Sequence, residues 1–191
     1  IYFYVDSFMN RRLQESETDA LSLVNTMLTE TLYSKIFGTA RENGLVYGMS
    51  SGFGQSKKNS NWWFGAQVSV KNAPALFDIM IRELENVFEG RLAPEDIEAA
   101  QAYSLGRFQR SAQTVGGVAN GYSSRYFFDD VIEDYYQVPK RIKAVTKTSM
   151  VEVSRSLFTE EVWGLGVLSN CDRAFAEELQ KSVSPLWKKT S

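Results

Sequence analysis

One stretch of the sequence has the spacing of a known nucleophile motif. Gly48-Met49-Ser50-Ser51-Gly52 matches Gly-x-Ser-x-Gly, the turn that presents the serine of α/β-hydrolases. That motif needs a strand, a turn and a helix in succession, and a histidine as general base. Here both flanks favour strand, and the 191-residue chain contains no histidine. Since neither a Ser-His-Asp triad nor a Cys-His pair can be built from this chain alone, we do not expect a serine hydrolase.

Other clusters of polar residues are better explained without a reaction. The acidic residues between positions 129 and 134 lack the glycine turn and the spaced ligands of a calcium loop. Gly116-Gly117 with Gly121 has no following Lys-Ser/Thr and is not a phosphate loop. Cys171 is the only cysteine, which excludes an internal disulfide and fits a reducing compartment such as the cytoplasm. We therefore predict no metal site within this chain.

A row of small residues is more informative. If residues 46–54 are extended, Gly48, Ser50, Gly52 and Gly54 point to one face. Glycine weakens a strand, so such a row indicates that another backbone comes close. Two alternatives are a helix packed tightly on the sheet and an extended peptide held by main-chain hydrogen bonds. These four residues are our candidates for peptide binding.

The elements that position these residues follow from the hydrophobic periodicity. We predict strands at about 1–8, 46–55, 62–70 and 163–167, with a polar hairpin loop at 56–60. Helices are predicted at about 17–31, from 33 to the Asn43-Gly44 stop, from Asn72 to Gly90, and at 94–113, 118–129, 138–147, 149–157 and 173–184, with a glycine-rich break near 116–121. This order is not a regular alternation, so we predict an α+β fold with a mainly antiparallel sheet covered on one side by helices.

The composition restricts the partners. The net charge of −2 gives no general attraction to phosphate backbones or anionic lipid, so neither nucleic acid nor a membrane is expected as a partner. No apolar stretch approaches the roughly 20 residues that span a bilayer, which predicts a soluble domain. The chain begins at Ile1 within an extended apolar run. We expect residues 1–191 to form a single domain excised from a longer protein.

The segment from Ser34 to Tyr47 carries a resemblance to a known family. Ser34-Lys35-Ile36-Phe37 and Arg41-Glu42-Asn43-Gly44-Leu45-Val46-Tyr47 resemble Ser-Arg-Leu-Phe and Arg-Glu-x-x-Gly-Leu-x-Tyr. These motifs belong to the C-terminal half-domain of the insulinase/pitrilysin metallopeptidases, which include the mitochondrial processing peptidase. The order of elements from about residue 16 to residue 187 is similar as well.

The resemblance implies a fold similar to that half-domain and a shared active site. In that family a domain with a His-x-x-Glu-His motif holds zinc and pairs with a similar domain that lacks the motif. The two enclose an extended peptide substrate. The chain would need no cofactor of its own, zinc would lie in an N-terminal domain or a partner subunit, and the chain would be inactive alone. Arg41 and Tyr47 would act as auxiliary catalytic residues that hydrogen-bond the peptide.

Two departures from the family pattern accompany this resemblance. The family's Arg and Tyr are one residue further apart, so Ala40 takes the Arg position when Gly44 and Tyr47 are aligned. Arg41 could instead be a cation favoured by the helix dipole, and Tyr47 a half-buried strand aromatic. The family domain also has two extended segments before its first long helix, so this chain is expected to lack the first strand.

Two functions are therefore expected from the sequence. The first is the substrate-clamping C-terminal domain of a zinc metallopeptidase, which binds peptide and completes the active site of a zinc-bearing partner. The alternative is a non-proteolytic scaffold of the same fold, since core subunits of respiratory complexes resemble this family. A His-x-x-Glu-His motif in a neighbouring segment or subunit distinguishes the peptidase from the scaffold.

Overall fold

A computed structural model describes residues 1–159 and 162–188. Strands and helices of the described part follow the predicted order closely. Thr26–Glu30 extends the first helix as a π-helical turn, and Val70–Asn72 is a short 3-10 turn. The elements are β1 (Tyr2–Met9), α1 (Glu15–Asn25), α2 (Phe37–Glu42), β2 (Met49–Gln55), β3 (Ser60–Gln67), α3 (Ala73–Phe88), α4 (Pro94–Ser111), α5 (Val115–Asp129), α6 (Gln137–Ala144), α7 (Lys147–Thr159), β4 (Trp163–Leu168), α8 (Arg173–Val183) and α9 (Pro185–Lys188).

The strands of the described residues form one four-stranded sheet in the order β2-β3-β1-β4. Every neighbouring pair is antiparallel, and β1 lies between β3 and β4. The predicted α+β fold with an antiparallel sheet is thus confirmed. Because β2 is at the edge of this order, it is joined to only one neighbouring strand of the described chain.

The two faces of the sheet have different surroundings. On the inner face, alternate residues of β3 are buried, as the sequence pattern predicts: Trp62, Phe64 and Ala66. Helix α7 packs against β1, and the π-helical turn after α1 packs against β2. The outer face bears Tyr2 and Tyr4, both partly exposed to solvent.

An aromatic cluster joins the sheet to the helices. The rings of Trp62 and Phe158 meet edge-on with centroids 6.1 Å apart, and Phe158 lies 4.7 Å from Trp187. The Trp187 indole donates a 2.9 Å hydrogen bond to the buried Ser7 hydroxyl. Replacing one such large buried ring by alanine lowers the free energy of unfolding by about 3–5 kcal/mol. This cluster fixes the inner face on which the helices rest.

The connection between α2 and β2 differs from the sequence prediction. The helix stops at the predicted Gly44, whose φ is 65°. The Gly44 N–H donates to the Arg41 carbonyl and the Leu45 N–H to the Ala40 carbonyl, both at 2.9 Å, which is a Schellman motif. This motif redirects the chain, so Val46 enters the core and β2 begins only at Met49. The prediction of a strand from residue 46 is therefore wrong by three residues.

The predicted break between two helices is present at residues 112–114, but its position is wrong, because the glycines expected to form it lie inside α5. The Thr114 hydroxyl accepts a 3.0 Å hydrogen bond from the Gly117 N–H and caps the helix. A Cβ atom at Gly117 would lie 1.9 Å from the Ser111 carbonyl oxygen. Glycine is thus needed here for close approach to the end of α4, and the helix tolerates it.

The predicted start of the first helix is wrong by two residues, since α1 begins at Glu15. The Glu17 carboxylate accepts a 2.7 Å hydrogen bond from the Gln14 N–H, and this bond gives a partner to a main-chain N–H group at the start of the helix. The predicted helical stretch from 33 is replaced by a turn until α2 begins at Phe37. No helix of the described part of the chain is long and apolar enough to cross a membrane.

Candidate functional site

Arg41 and Tyr47 lie together at the surface, between the end of α2 and the start of β2. Arg41 is in the last turn of α2, and its Nη1 donates a 2.9 Å hydrogen bond to the Tyr47 carbonyl oxygen. The guanidinium carbon also lies 5.4 Å from the centroid of the Tyr47 ring. This stacking is a cation-π interaction within the usual limit of about 6 Å. The Tyr47 side chain is 89% exposed, so it is not the half-buried strand aromatic of the alternative interpretation.

The position of Ala40 bears on the alternative alignment. Ala40 is fully buried, whereas its neighbour Arg41 is exposed. Of the two positions, only Arg41 therefore presents a side chain to solvent. Its guanidinium has five N–H donors, and the bond to Tyr47 leaves several directed outward. The pair can therefore offer a charged fork and a phenol O–H to one ligand.

The next feature of the site is the open edge of β2. The hairpin to β3 is closed by a 2.9 Å hydrogen bond from the Ser56 N–H to the Asn59 carbonyl. In an antiparallel pair, hydrogen-bonded and non-hydrogen-bonded residues alternate, so Ser50, Gly52 and Gly54 bond to β3. Met49 and Phe53, which alternate with them, direct their N–H and C=O groups outward, as does the Ser51 N–H, whereas the Ser51 carbonyl accepts a 3.5 Å hydrogen bond from Asn25 Nδ2. An extended peptide could pair with these groups as an additional strand.

The candidate glycines in and before β2 differ in whether a side chain covers them. A Cβ atom at Gly52 would lie 3.1 Å from the Trp63 indole, and one at Gly54 would lie 2.6 Å from Asn61 Oδ1. Side chains of β3 thus cover these two glycines. At Gly48 a Cβ atom would meet no other atom within 4 Å. Of the four candidate residues, Gly48 and Ser50 are therefore the ones open to solvent.

Asn61 is held over Gly54 by an acidic partner. Its Nδ2 donates to both carboxylate oxygens of Asp6, at 2.9 and 3.1 Å. Burial raises the pKa of Asp6, although the hydrogen bond from Asn61 lowers it in part. The side chain that covers Gly54 is thus fixed rather than free to move aside.

A groove of about 450 Å³ lies on the outer face at the start of β2. The register places Tyr2 opposite Gln67 and Ser50 opposite Gly65. The groove is lined by residues of three neighbouring strands and of the segment before β2: Tyr2, Tyr47, Gly48, Ser50, Gly65 and Gln67. The sequence analysis identified three of these residues but gave no role to Tyr2, Gly65 or Gln67. Their proximity depends on the strand order, which no local pattern reveals.

The Gly-x-Ser-x-Gly motif lies within β2 and has no helix after it. Ser51 points inward, where its hydroxyl donates a 2.6 Å hydrogen bond to Asn25 Oδ1 and also contacts the Thr29 hydroxyl. Trp62 Nε1 donates to the same Asn25 oxygen at 3.0 Å. These contacts anchor the inner side of β2 and do not activate a nucleophile.

Carboxylates elsewhere are engaged in ion pairs. Asp129 lies 3.0 Å from Arg12, and Asp19 lies 2.7 Å from Arg141, which also contacts Glu133. Burial alone would lower the pKa of the Arg141 guanidinium, but its hydrogen bonds to Asp19 and Glu133 outweigh this and raise it. Among the described residues, no group of three or more potential ligands could hold a metal ion. The residues that the structure describes therefore provide no set of ligands for zinc.

The comparisons with known proteins come from a family model and from solved structures. The family model described as peptidase M16 inactive domain matches residues 7–103. No curated protein matches the chain in sequence. A protease from Helicobacter pylori is similar with a TM-score of 0.73 and 15% identity, over 86% of this chain and 40% of that chain.

Two further solved structures have the same fold. A peptidase M16 inactive domain from Pseudomonas fluorescens has a TM-score of 0.66 and 14% identity, over 80% of this chain and 36% of that chain. A chain of complex III2 from Candida albicans has a TM-score of 0.76 and 8% identity, over 95% of this chain and 46% of that chain. The chain thus spans less than half the length of these three structures, and the likeness at these identities concerns the fold alone.

Proposed function

The chain belongs to the family of peptidase M16 inactive domains, and from this premise we propose that it is the substrate-clamping half of an insulinase/pitrilysin-type zinc metallopeptidase. The resemblance read from the sequence is confirmed at the level of the family. In this proposal the chain binds extended peptide and completes the active site of a zinc-bearing N-terminal domain or partner subunit. It is not catalytic alone.

The observation that carries the proposal is the paired exposure of Arg41 and Tyr47 beside an open strand edge. The Arg41 guanidinium stacks on the Tyr47 ring and fixes its main chain, so both side chains point to one place. Guanidinium donors bind carbonyl oxygens of a peptide, and a phenol O–H stabilises an oxygen that gains negative charge during cleavage. Both groups are preorganised by the Schellman turn at Gly44 and not by the substrate.

The open edge of β2 supports a binding mode for the rest of the peptide. Met49 and Phe53 direct main-chain N–H and C=O groups outward, while the Ser51 carbonyl is bonded to Asn25 Nδ2. Main-chain pairing of this kind gives affinity without requiring one sequence. Gly48 and Ser50 lie beside this edge and leave room for the peptide where β2 begins. Gly52 and Gly54 contribute through their backbone, which must stay close to β3 under Trp63 and Asn61.

In this proposal, the chain itself does not bind zinc. The sequence contains no histidine, and several described carboxylates are engaged in ion pairs, such as that of Asp19 with Arg141. When bound in the partner, zinc would supply the activated water that cleaves the peptide bond. The contribution of this chain is to hold the peptide and to donate hydrogen bonds from Arg41 and Tyr47.

A change of Tyr47 to phenylalanine tests this role in an enzyme with both halves. Tyr47→Phe keeps the ring on which Arg41 stacks and removes only the O–H donor. We expect kcat/KM for a fluorogenic peptide to fall by about 10²-fold, as for loss of one oxyanion donor. Tyr33→Phe is the matched control, because Tyr33 is 92% exposed and lies outside this site. Unchanged kinetics for Tyr47→Phe would contradict the catalytic role and leave Tyr47 a surface residue.

One observation favours a second function. The chain of complex III2 from Candida albicans matches more of this chain than the two peptidase structures do. A scaffold of this fold would need neither the Tyr47 hydroxyl nor an open β2 edge. A neighbouring segment or subunit with His-x-x-Glu-His supports the peptidase, and its absence from both supports the scaffold.

A further inference from the structure

The groove on the outer face has two aromatic walls and a floor that is almost free of side chains. Tyr2 and Tyr47 border it on two sides, while Gly48 and Gly65 contribute no side chain to the floor. Gly65 is opposite Ser50 in the register, so the floor crosses from β3 to β2. The groove is therefore a space that one planar side chain could enter from above the sheet.

Both aromatic walls are held in place. The Tyr2 hydroxyl donates a 2.9 Å hydrogen bond to the Tyr4 hydroxyl, and the two rings meet edge-on with centroids 5.3 Å apart. Tyr4 in turn packs on Trp63, also at 5.3 Å. A Cβ atom at Gly65 would lie 2.8 Å from the Tyr4 ring, so glycine at this position lets Tyr4 occupy its place beside Tyr2. The opposite wall, Tyr47, is held by Arg41.

The lining is uncharged. Apart from the two phenols, it presents glycines, the Ser50 hydroxyl, the Gln67 amide and small apolar surface. A positively charged side chain placed here would lose hydration without gaining an opposite charge, and it would lie near the Arg41 guanidinium on the Tyr47 ring. An aromatic ring would instead contact the two tyrosines edge-on or offset, the arrangements that aromatic pairs prefer. The chemistry of the walls thus selects an uncharged aromatic occupant.

We infer that this groove is a specificity pocket that takes an aromatic side chain of the extended peptide held beside Tyr47. The inference rests on the proposed function and adds to it the class of substrate. The pocket adjoins Tyr47 and the start of β2, so a peptide paired with the open edge continues directly past it. Tyr2 is the specificity-determining residue, since it forms the wall opposite Tyr47.

The test measures binding of capped five-residue peptides to the full ¹⁵N-labelled chain. The probes are acetyl-Ala-Ala-X-Ala-Ala-amide with X as Phe, Ala or Lys. We expect the Phe peptide to bind about tenfold more tightly than the Ala peptide and the Lys peptide to bind most weakly. Amide shifts on titration should concentrate at Gly48, Gly65 and Gln67. Equal affinity for Phe and Ala would overturn the inference.

Two variants with matched controls show whether the groove residues produce the preference for the Phe peptide. Tyr2→Ala removes one wall, and Tyr33→Ala is the control at another exposed tyrosine. Gly48→Val fills the groove at a position with free space, and Gly164→Val, also in free space, is its control on β4. Both groove variants should abolish the tenfold preference for Phe and leave the circular dichroism spectrum unchanged, and Tyr2→Ala should also leave the affinity of the Ala peptide within about twofold. Retention of the preference in both variants would refute the pocket.

The outcomes also separate this inference from the proposed function. Binding of all three peptides with shifts along β2 but no preference for Phe supports the clamp and refutes the pocket. Binding of the Phe peptide with shifts only around Tyr2 and Tyr47 supports the pocket and contradicts pairing along the β2 edge. No binding of any peptide at millimolar concentration refutes both.

Discussion

The inner anchor of β2 gives the sharpest prediction about what keeps the open edge in place. Asn25 is 3% exposed, and its Oδ1 accepts hydrogen bonds from the Ser51 hydroxyl at 2.6 Å and from Trp62 Nε1 at 3.0 Å. In Asn25→Ala, the indole N–H of the fully buried Trp62 has lost its acceptor. An unsatisfied buried donor costs about 1–3 kcal/mol.

The second lost bond costs less, because Ser51 also contacts the Thr29 hydroxyl. We assign it about 0.5–1.5 kcal/mol, the usual net value of a hydrogen bond. Asn25→Ala should therefore lower the free energy of unfolding by about 1.5–4.5 kcal/mol. Ser51→Ala removes the second bond together with the contact to Thr29, keeps the bond from Trp62 to Asn25 and should cost about 1 kcal/mol.

Urea denaturation followed by tryptophan fluorescence measures both variants against the wild type. Equal m-values would show that the comparison concerns stability and not the compactness of the unfolded state. If Asn25→Ala costs no more than Ser51→Ala, the claim that one amide oxygen anchors both Trp62 and β2 is refuted.

Two further predictions concern the glycines and the buried carboxylates. Gly54→Ala should displace the Asn61 side chain, whereas Gly48→Ala should gain stability because alanine restricts the unfolded chain. In urea denaturation, the free energy of unfolding of Gly54→Ala should therefore be about 1–2 kcal/mol lower than that of Gly48→Ala. Equal free energies of unfolding would contradict this. Burial raises the pKa of Asp19 more than its pairing with Arg141 lowers it. The contribution of Asp19 to stability is therefore complete below its unfolded pKa of about 4 and is lost as the pH rises through the raised pKa. Relative to the wild type, Asp19→Asn should gain stability as the pH rises from about 3 to 6, and an unchanged or opposite trend would refute the shift.

The main outline of the fold is encoded in local patterns. Alternation of apolar residues marks the buried face of β3, and Asp172 caps the last long helix by accepting a 2.9 Å hydrogen bond from the Phe175 N–H. Pro94 begins α4 as its fixed φ favours. These features depend on residues near one another in the chain, so the sequence alone is sufficient to predict them.

The site was only partly predictable, because its remaining parts depend on contacts between distant residues. The pairing of Arg41 with Tyr47 follows from the Schellman turn. The Asn43-Gly44 pair predicts that the helix ends there, but it does not specify the path of the chain after the turn. The groove requires Tyr2 to lie two strands from β2, and no periodicity specifies that order. The expected approach of another backbone is wrong for Gly52 and Gly54, because the side chains of Trp63 and Asn61 on the neighbouring strand cover them.

The central claim is that this chain completes the active site of a zinc-bearing half. The most direct measurement is hydrolysis of a quenched fluorescent peptide by the chain alone, by the zinc-bearing half alone and by both together. The account predicts cleavage only when both are present, and a loss of about 10² in kcat/KM when the chain carries Tyr47→Phe. Cleavage by this chain alone with stoichiometric zinc, or a mixture no more active than the zinc-bearing half, would contradict it.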